Sequence, residues 1–500
     1  MSEEVASPES TILGLVRIWR SRESQLTQSV HQRADRAVLL VLPSPSLHEF
    51  RLIILPQLKY LKGAPSSPGT AHVIMIMPAH PVYAAEMKTE TEAARDGAIT
   101  ERVKLVATAE GMDPEILAGL VAGGRVVIMH REARAVGIGE GLTTKVNVNI
   151  GTSPVCCNPD EEVEKARIAE RYGADTLSDL SMGGDIPGIR RRIAAVTTLP
   201  LTTVPAYQAV VMTGLENLTS DDLIHTIRLQ AEEGVSSVVL HMLSRKTLEL
   251  VQKTPRILGV VSKGGSLMAA HMILGECENP YLTCFDEILS LLRKHDIVLS
   301  LGNTMRSGCI ADARDRLQLA EMRENSALAS RAHEEGVQVI IEGVGGHVHA
   351  SRIPGYIRAY KRKSRFPLFV AGPLPTDIAM GYDHIAGCTG ASIAAGAGAD
   401  YLCYLTPAEH IGLPTPAQVK EGLIAFRIAA HIGDTIKYRN GERDEALARR
   451  RAALDWKGQA ALALDPETAG IDNPEGMPCS MCGPYCAIRI MRESGSTMKQ

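Results

Sequence analysis

From Lys145 to about Pro407 the chain keeps one rhythm, in which short β-rich apolar runs alternate with amphipathic helical stretches. Nothing else in the sequence constrains the fold as tightly. The runs are Lys145–Asn149, Asp175–Leu180, Leu201–Val204, Val235–His241, Ile257–Val261, Ile297–Leu301, Val337–Glu342, Pro367–Ala371 and Tyr401–Leu405. Apolar residues in unbroken runs bury both faces of a strand, as in a parallel sheet covered by helices. Helices are expected between them at Glu161–Tyr172, opened by Asp160, and at Asp221–Glu233, capped by Thr219 or Ser220. A strand–helix unit repeated at least eight times predicts an α/β fold of the (β/α)8 TIM-barrel type. One run is then surplus to the barrel. An open doubly wound sheet is the alternative, but no Gly-x-Gly-x-x-Gly follows a first strand to support a dinucleotide fold.

The barrel is assigned to residues 145–415, a helical and strand lead-in to 87–144, and C-terminal helices with a cysteine segment to 416–500. The C-terminal helices are expected at Pro416–Ile432 and Arg443–Ala463. Residues 1–86 differ in character. Leu39–Val41, Leu52–Leu55 and Val73–Met77 read as short strands, but Pro/Ser clusters interrupt them. This part is expected to be an accessory extension, or to precede a true start at Met87, or to be a small domain. At 45% hydrophobic and 22% charged residues the 500-residue chain reads as globular, and its net charge of −4 leaves no nucleic-acid footprint. No apolar run reaches the roughly 18 residues of a membrane span, and no signal peptide is evident, so a cytoplasmic protein is expected.

On such a barrel, chemistry sits at the C-terminal ends of the strands. Polar residues gather there: Asn149, Asp179, Tyr207, His241, Ser262, Asn303 with Arg306, Glu342 with His347, and Asp377. Three motifs stand out. Cys479-Ser-Met-Cys482-Gly-Pro-Tyr-Cys486 packs three thiols into one short stretch. Three thiolates can hold a 4Fe-4S cluster with one iron left open, as S-adenosylmethionine (SAM) requires. A zinc knot needs a fourth ligand, and no His or Cys lies between Gly433 and Met477 or after Cys486. Zinc and unligated thiols remain alternatives. His347 and His410, each after a strand end, can converge on a divalent metal, with His349 and His384 competing. Ser262-Lys263-Gly264-Gly265 offers small residues and a charge to a phosphate.

With these motifs in place, the chain from about Thr91 to Ile490 resembles the thiamin pyrimidine synthase (ThiC) family of radical SAM lyases. The shared stretches are Lys145-Val-Asn-Val-Asn-Ile-Gly-Thr-Ser153, Thr203-Val-Pro-Ala-Tyr207, Gly381-Tyr-Asp-His-Ile385, Leu405-Thr-Pro-Ala-Glu-His-Ile-Gly-Leu-Pro414 and the terminal Cys-Ser-Met-Cys-Gly. The resemblance implies 5-aminoimidazole ribonucleotide as substrate, adenosyl-radical chemistry and an external electron donor. It also implies a homodimer in which one subunit's cluster segment covers its partner's site. Asn149, Tyr207, His241, Ser262, Gly264, Arg306 and Glu342 would contact the nucleotide. Glu342 and His241 would handle protons, and Arg306 would pair with an anionic group. His347 and His410 would bind a divalent metal, taken as zinc, and Cys479, Cys482 and Cys486 would hold the cluster.

Several positions depart from the family pattern. Asn303 stands where an acid is usual, Ser178 where a methionine, Phe369 where a tyrosine, and Lys263 where an arginine. The Glu342–His347 stretch is one residue longer, and the last cysteine spacing one residue shorter, than usual. Most of these changes fall in the expected nucleotide pocket. They point to the paralogous 5-hydroxybenzimidazole synthases of anaerobic cobalamin biosynthesis, with phosphomethylpyrimidine synthesis as the alternative. A zinc-dependent barrel hydrolase and a nucleotide-binding homologue without catalysis are the rival classes.

Overall fold

The structure is a computed structural model, and it describes residues 38–43, 50–55, 88–469 and 473–497. The chain divides into two units, Met1–Ala85 and Glu86–Gln500. In the first, Val38–Pro43 pairs antiparallel with Phe50–Leu55. The run at Val73–Met77 lies outside the described residues.

In the second unit, parallel strands close a barrel in sequence order. They are β1 (Lys145–Ile150), β2 (Thr176–Asp179), β3 (Leu201–Thr203), β4 (Ser237–Leu240), β5 (Val298–Leu301), β6 (Val339–Glu342), β7 (Leu368–Ala371) and β8 (Tyr401–Cys403). β8 pairs with β1, Tyr401 opposite Lys145, and so closes the ring. Leu177, Leu299, Ile341 and Leu402 belong to the main buried core, with Ile193, Leu223 and Phe426 from the surrounding helices. Inside the ring, Asn147 accepts hydrogen bonds from Thr176 Oγ1 at 2.9 Å and Ser178 Oγ at 3.1 Å. An antiparallel hairpin, Val126–Arg131 with Arg134–Gly139, contributes Val127, Met129 and Ile138 to a cluster with Val298, Ile340 and Tyr401. Those last three residues stand at the N-terminal ends of their strands, so the hairpin plugs the end opposite the expected chemistry.

The surplus run is Ile257–Val261. It is a loop, because Gly259 takes a φ of 65° and the Asp312 carboxylate captures the N–H groups of Ile257 and Leu258 at 2.8 and 3.0 Å. Helix boundaries also shift, and the expected Pro416–Ile432 runs on to Tyr438. The first barrel helix begins at Pro159, capped by Asn158 rather than opened by Asp160. The expected helix Arg443–Ala463 breaks into Glu442–Ala452 and Trp456–Leu462, since Leu454 turns left-handed at φ 56° and Asp455 caps a new start. Among the described residues no helix is long and apolar enough to cross a membrane.

Candidate active site

The loop after β5 carries Arg306 into the mouth of the barrel. Its guanidinium faces His241, Tyr207, Lys263, Glu342, Cys403 and Glu409 closely enough to bias their protonation. His241 follows β4 directly, and Asn279 holds its backbone by donating to the carbonyls of His241 and Leu243, each at 2.9 Å. Burial, helped by Arg306, pushes the imidazole down to about 3, so it is neutral in ordinary solution. Its Nδ1 is buried with no hydrogen-bond partner. Glu342, at the end of β6, accepts from Ser300 Oγ at 2.8 Å and from the Asn303 N–H. Burial raises its pKa, against the pull of those bonds and of Arg306. Burial also pushes the Tyr207 phenol up to about 12, which keeps it a hydrogen-bond donor.

Helix Lys263–Leu274 points its N-terminus into the same region. The Ser262 hydroxyl caps it by accepting from the Gly265 N–H at 3.2 Å. Lys263 lies over the Tyr207 ring, 5.4 Å from its centroid, and burial lowers its pKa. A helix N-terminus with a lysine and an arginine beside it is a ready anion site.

The candidate metal pair comes together across the rim. The rings of His347 and His410 are 5.2 Å apart, centroid to centroid. His347 is placed by backbone bridges from its loop to Ser307 and Leu374. Its Nδ1 meets Asp377 at 2.7 Å, while its Nε2 is buried and without a partner. Asp383 lies 3.6 Å from His410 Nδ1, and its other oxygen is also buried and unpartnered. A carboxylate on one ring nitrogen and a bare second nitrogen is the usual arrangement of a ligating histidine. Among the described residues no three His, Cys, Asp or Glu side chains surround one point, so the pair leaves most coordination positions open.

The cysteines lie on a clipped loop. Glu475 caps helix Trp456–Leu462 by accepting from the Trp456 and Lys457 N–H groups, each at 3.0 Å, and Trp456 Nε1 donates to the Met477 carbonyl at 2.9 Å. A turn from Cys479 to Gly483 and a 3-10 turn at Gly483–Tyr485 follow, and Cys486 directly precedes the last helix. All three thiols are free, Cys482 exposed and Cys486 buried. A cubane takes each cysteine on a different iron, so thiols spread along a turn suit it better than thiols converging on one ion.

Not every expected position reaches the pocket mouth. Ser178 spends its hydroxyl on Asn147 inside the barrel, and Ser262 is wholly buried as a cap. Phe369 stacks on Tyr401 with ring centroids 4.1 Å apart, beside the hairpin plug. Asp179 is held by the buried Arg190 at 3.2 Å and is structural. His349 bonds Ser351, whereas His384 meets Glu421 through Nε2 at 3.0 Å and keeps a buried, unpartnered Nδ1, the same pattern as His347. Asn149 donates to Cys403 Sγ at 2.9 Å. Cys403 and Glu409 are pocket groups that sequence reasoning passed over, although Glu409 precedes His410 in a stretch already singled out. Burial raises Glu409, with His410 and Arg306 opposing.

Comparison with known proteins gives one consistent answer. Residues 89–493 match the Radical SAM ThiC family. A phosphomethylpyrimidine synthase of Thermus thermophilus is 44% identical over 420 residues, covering 81% of this chain and 96% of the relative. The enzyme of that name from Methanopyrus kandleri is 46% identical over 416 residues, covering 79% and 96%. That of Dehalococcoides mccartyi is 44% identical over 419 residues, covering 80% and 97%.

Proposed function

Because the chain belongs to the radical SAM ThiC family, we propose that it rearranges 5-aminoimidazole ribonucleotide to phosphomethylpyrimidine, the product in its relatives' names. It is an enzyme of that family, and membership implies SAM and an iron–sulfur cluster. Of the two products read from the sequence, the relatives' names favour the alternative over 5-hydroxybenzimidazole. The observation that carries the reading is the group of titratable side chains around Arg306 at the strand ends.

In this reading Arg306, Lys263 and the helix N-terminus at Gly264 hold the phosphate. Tyr207, Asn149 and Asn303 orient the base and sugar through hydrogen bonds. Neutral His241 accepts or donates a proton at its bare Nδ1, and Glu342, raised by burial, exchanges one at its carboxyl. His347 and His410 would hold a divalent metal, taken as zinc, which would supply Lewis-acid polarisation. Cys479, Cys482 and Cys486 would hold a 4Fe-4S cluster, at which SAM would bind. When bound and reduced by an external donor, these groups supply hydrogen abstraction from the ribose. A homodimer belongs to the same reading, and exposed apolar residues at the rim, Ile378, Met380, Tyr382 and Ile411, support a covering segment.

5-Hydroxybenzimidazole formation is the second reading. It is favoured by Asn303, which puts an amide into the loop after β5 where an acid is usual. The test is an anaerobic reaction of the full chain with 5-aminoimidazole ribonucleotide, SAM and reductant, followed by mass spectrometry. A phosphorylated pyrimidine is expected. Hydroxybenzimidazole would reverse the order of the two readings. Colourless protein without acid-labile sulfide, and no 5′-deoxyadenosine, would reject both and leave the barrel hydrolase.

A further inference from the structure

We propose that Glu321 and Arg256 are positioning residues, a buried bracket that holds the loop Asn303–Arg306 so that Arg306 meets the anionic end of the substrate. The proposal rests on the nucleotide reading above. Glu321 lies on helix Arg316–Glu334 and is buried. One of its oxygens accepts from the Thr304 N–H at 2.6 Å and the other from the Met305 N–H at 2.9 Å. Two consecutive N–H groups bound to one carboxylate fix the peptide planes between them.

Arg256 takes the carbonyls of the same loop. Its Nη2 donates to the Met305 oxygen at 2.8 Å and its Nη1 to the Arg306 oxygen at 3.4 Å. The guanidinium is itself clamped by Asp315, with Nε–Oδ2 2.6 Å and Nη2–Oδ1 3.0 Å. The loop has no regular secondary structure to set its shape, since β5 ends at Leu301. Buried carboxylate and buried guanidinium therefore do what a ladder would otherwise do.

The bracket governs more than one side chain. A Cβ on Gly265 would come within 3.0 Å of Thr304 Cα, so the loop lies directly against the N-terminal turn of helix Lys263–Leu274. Beyond Arg306, the Ser307 carbonyl accepts from the His347 N–H at 3.0 Å and the Ser307 hydroxyl donates to the His347 carbonyl at 2.6 Å. A loop held at Thr304 and Met305 thus sets Arg306 against the helix N-terminus on one side and the candidate metal pair on the other.

The test is a double-mutant cycle on the full-length, cluster-loaded protein. The dissociation constant for 5-aminoimidazole ribonucleotide is measured by calorimetry, without reductant, for wild type, Glu321→Gln, Arg306→Ala and the double variant. Glutamine keeps one acceptor and turns an N–H toward the other donor. With Arg306 present, Glu321→Gln is expected to weaken binding about tenfold or more. With Arg306 already alanine it should weaken binding less than about twofold. Equal losses in both backgrounds would mean a general structural role and overturn the proposal. If Glu321→Gln does not fold, Arg256→Lys serves in its place, because it keeps the charge and loses the fork. Hydrogen exchange at the Thr304 and Met305 amides reads the bracket without ligand. Faster exchange in Glu321→Gln is expected, and unchanged exchange overturns the bracket. A wild type that does not bind the nucleotide defeats the functional reading instead, and exchange alone then decides whether the loop is held.

Discussion

Gly264→Ala isolates a single contact in the pocket. Gly264 is the second residue of its helix and has no positive φ, so the backbone accepts alanine. On propensity alone the change gains up to about 1 kcal/mol, less in a first turn. The new methyl carbon, however, would lie 2.5 Å from His241 Nδ1, well inside carbon–nitrogen contact. The Gly302 backbone packs close to the other edge of the ring, where even a Cβ would meet His241 Cδ2 at 3.0 Å, so the ring has little room to step away. Overpacking a closed site costs about 1–3 kcal/mol. The net expectation is a loss of about 1–2 kcal/mol in unfolding free energy. Binding of 5-aminoimidazole ribonucleotide should weaken as the ring tilts. Urea unfolding and nucleotide titration are run on wild type, Gly264→Ala, His241→Ala and the double variant. In the His241→Ala background the methyl enters vacated space, and Gly264→Ala should become neutral or stabilising. An equal cost in both backgrounds would refute the steric argument, whatever its size.

Other expectations follow from single observations. Cys482→Ala should leave the barrel's circular dichroism intact while abolishing cluster absorbance and SAM cleavage, and retained cleavage would reject the cluster assignment. Asp377→Asn weakens the support of His347 and should lower metal affinity about 10–100-fold by competitive chelation with mass-spectrometric metal counts. His241 titrates at about 3 when folded against 6.5 as a free side chain. The unfolded chain therefore binds the extra proton first, and the stability contributed by the neutral buried ring is present above pH 6.5 and lost as pH falls toward about 3. Unfolding free energies between pH 7 and 4 should fall more steeply for wild type than for His241→Gln. Matching slopes would show that the ring does not titrate as its burial requires.

How much of this was legible beforehand depends on how local each cause is. The barrel strands could be read because burial on both faces leaves consecutive apolar residues, as in Val339–Glu342. Ile257–Val261 has the same look and is a loop, because Asp312 and a left-handed Gly259 claim its backbone. The cysteine spacing could be read because three thiols in one short stretch are a pattern of neighbouring residues. Glu321 could not, since a glutamate in a helix has no mark showing that its carboxylate ends under another loop. Ser178 and Phe369 looked like pocket residues by position, yet their orientation sends one to Asn147 and the other to Tyr401.

The sequence by itself determined the barrel class, the cysteine motif and the family, because each is written in neighbouring residues or in a run of them. Only the tertiary structure decided which groups share the charge of Arg306, which histidines keep a bare nitrogen, and which polar side chains are spent on scaffold. Those depend on ring closure, which sets residues from different strands side by side at distances that no spacing along the chain encodes.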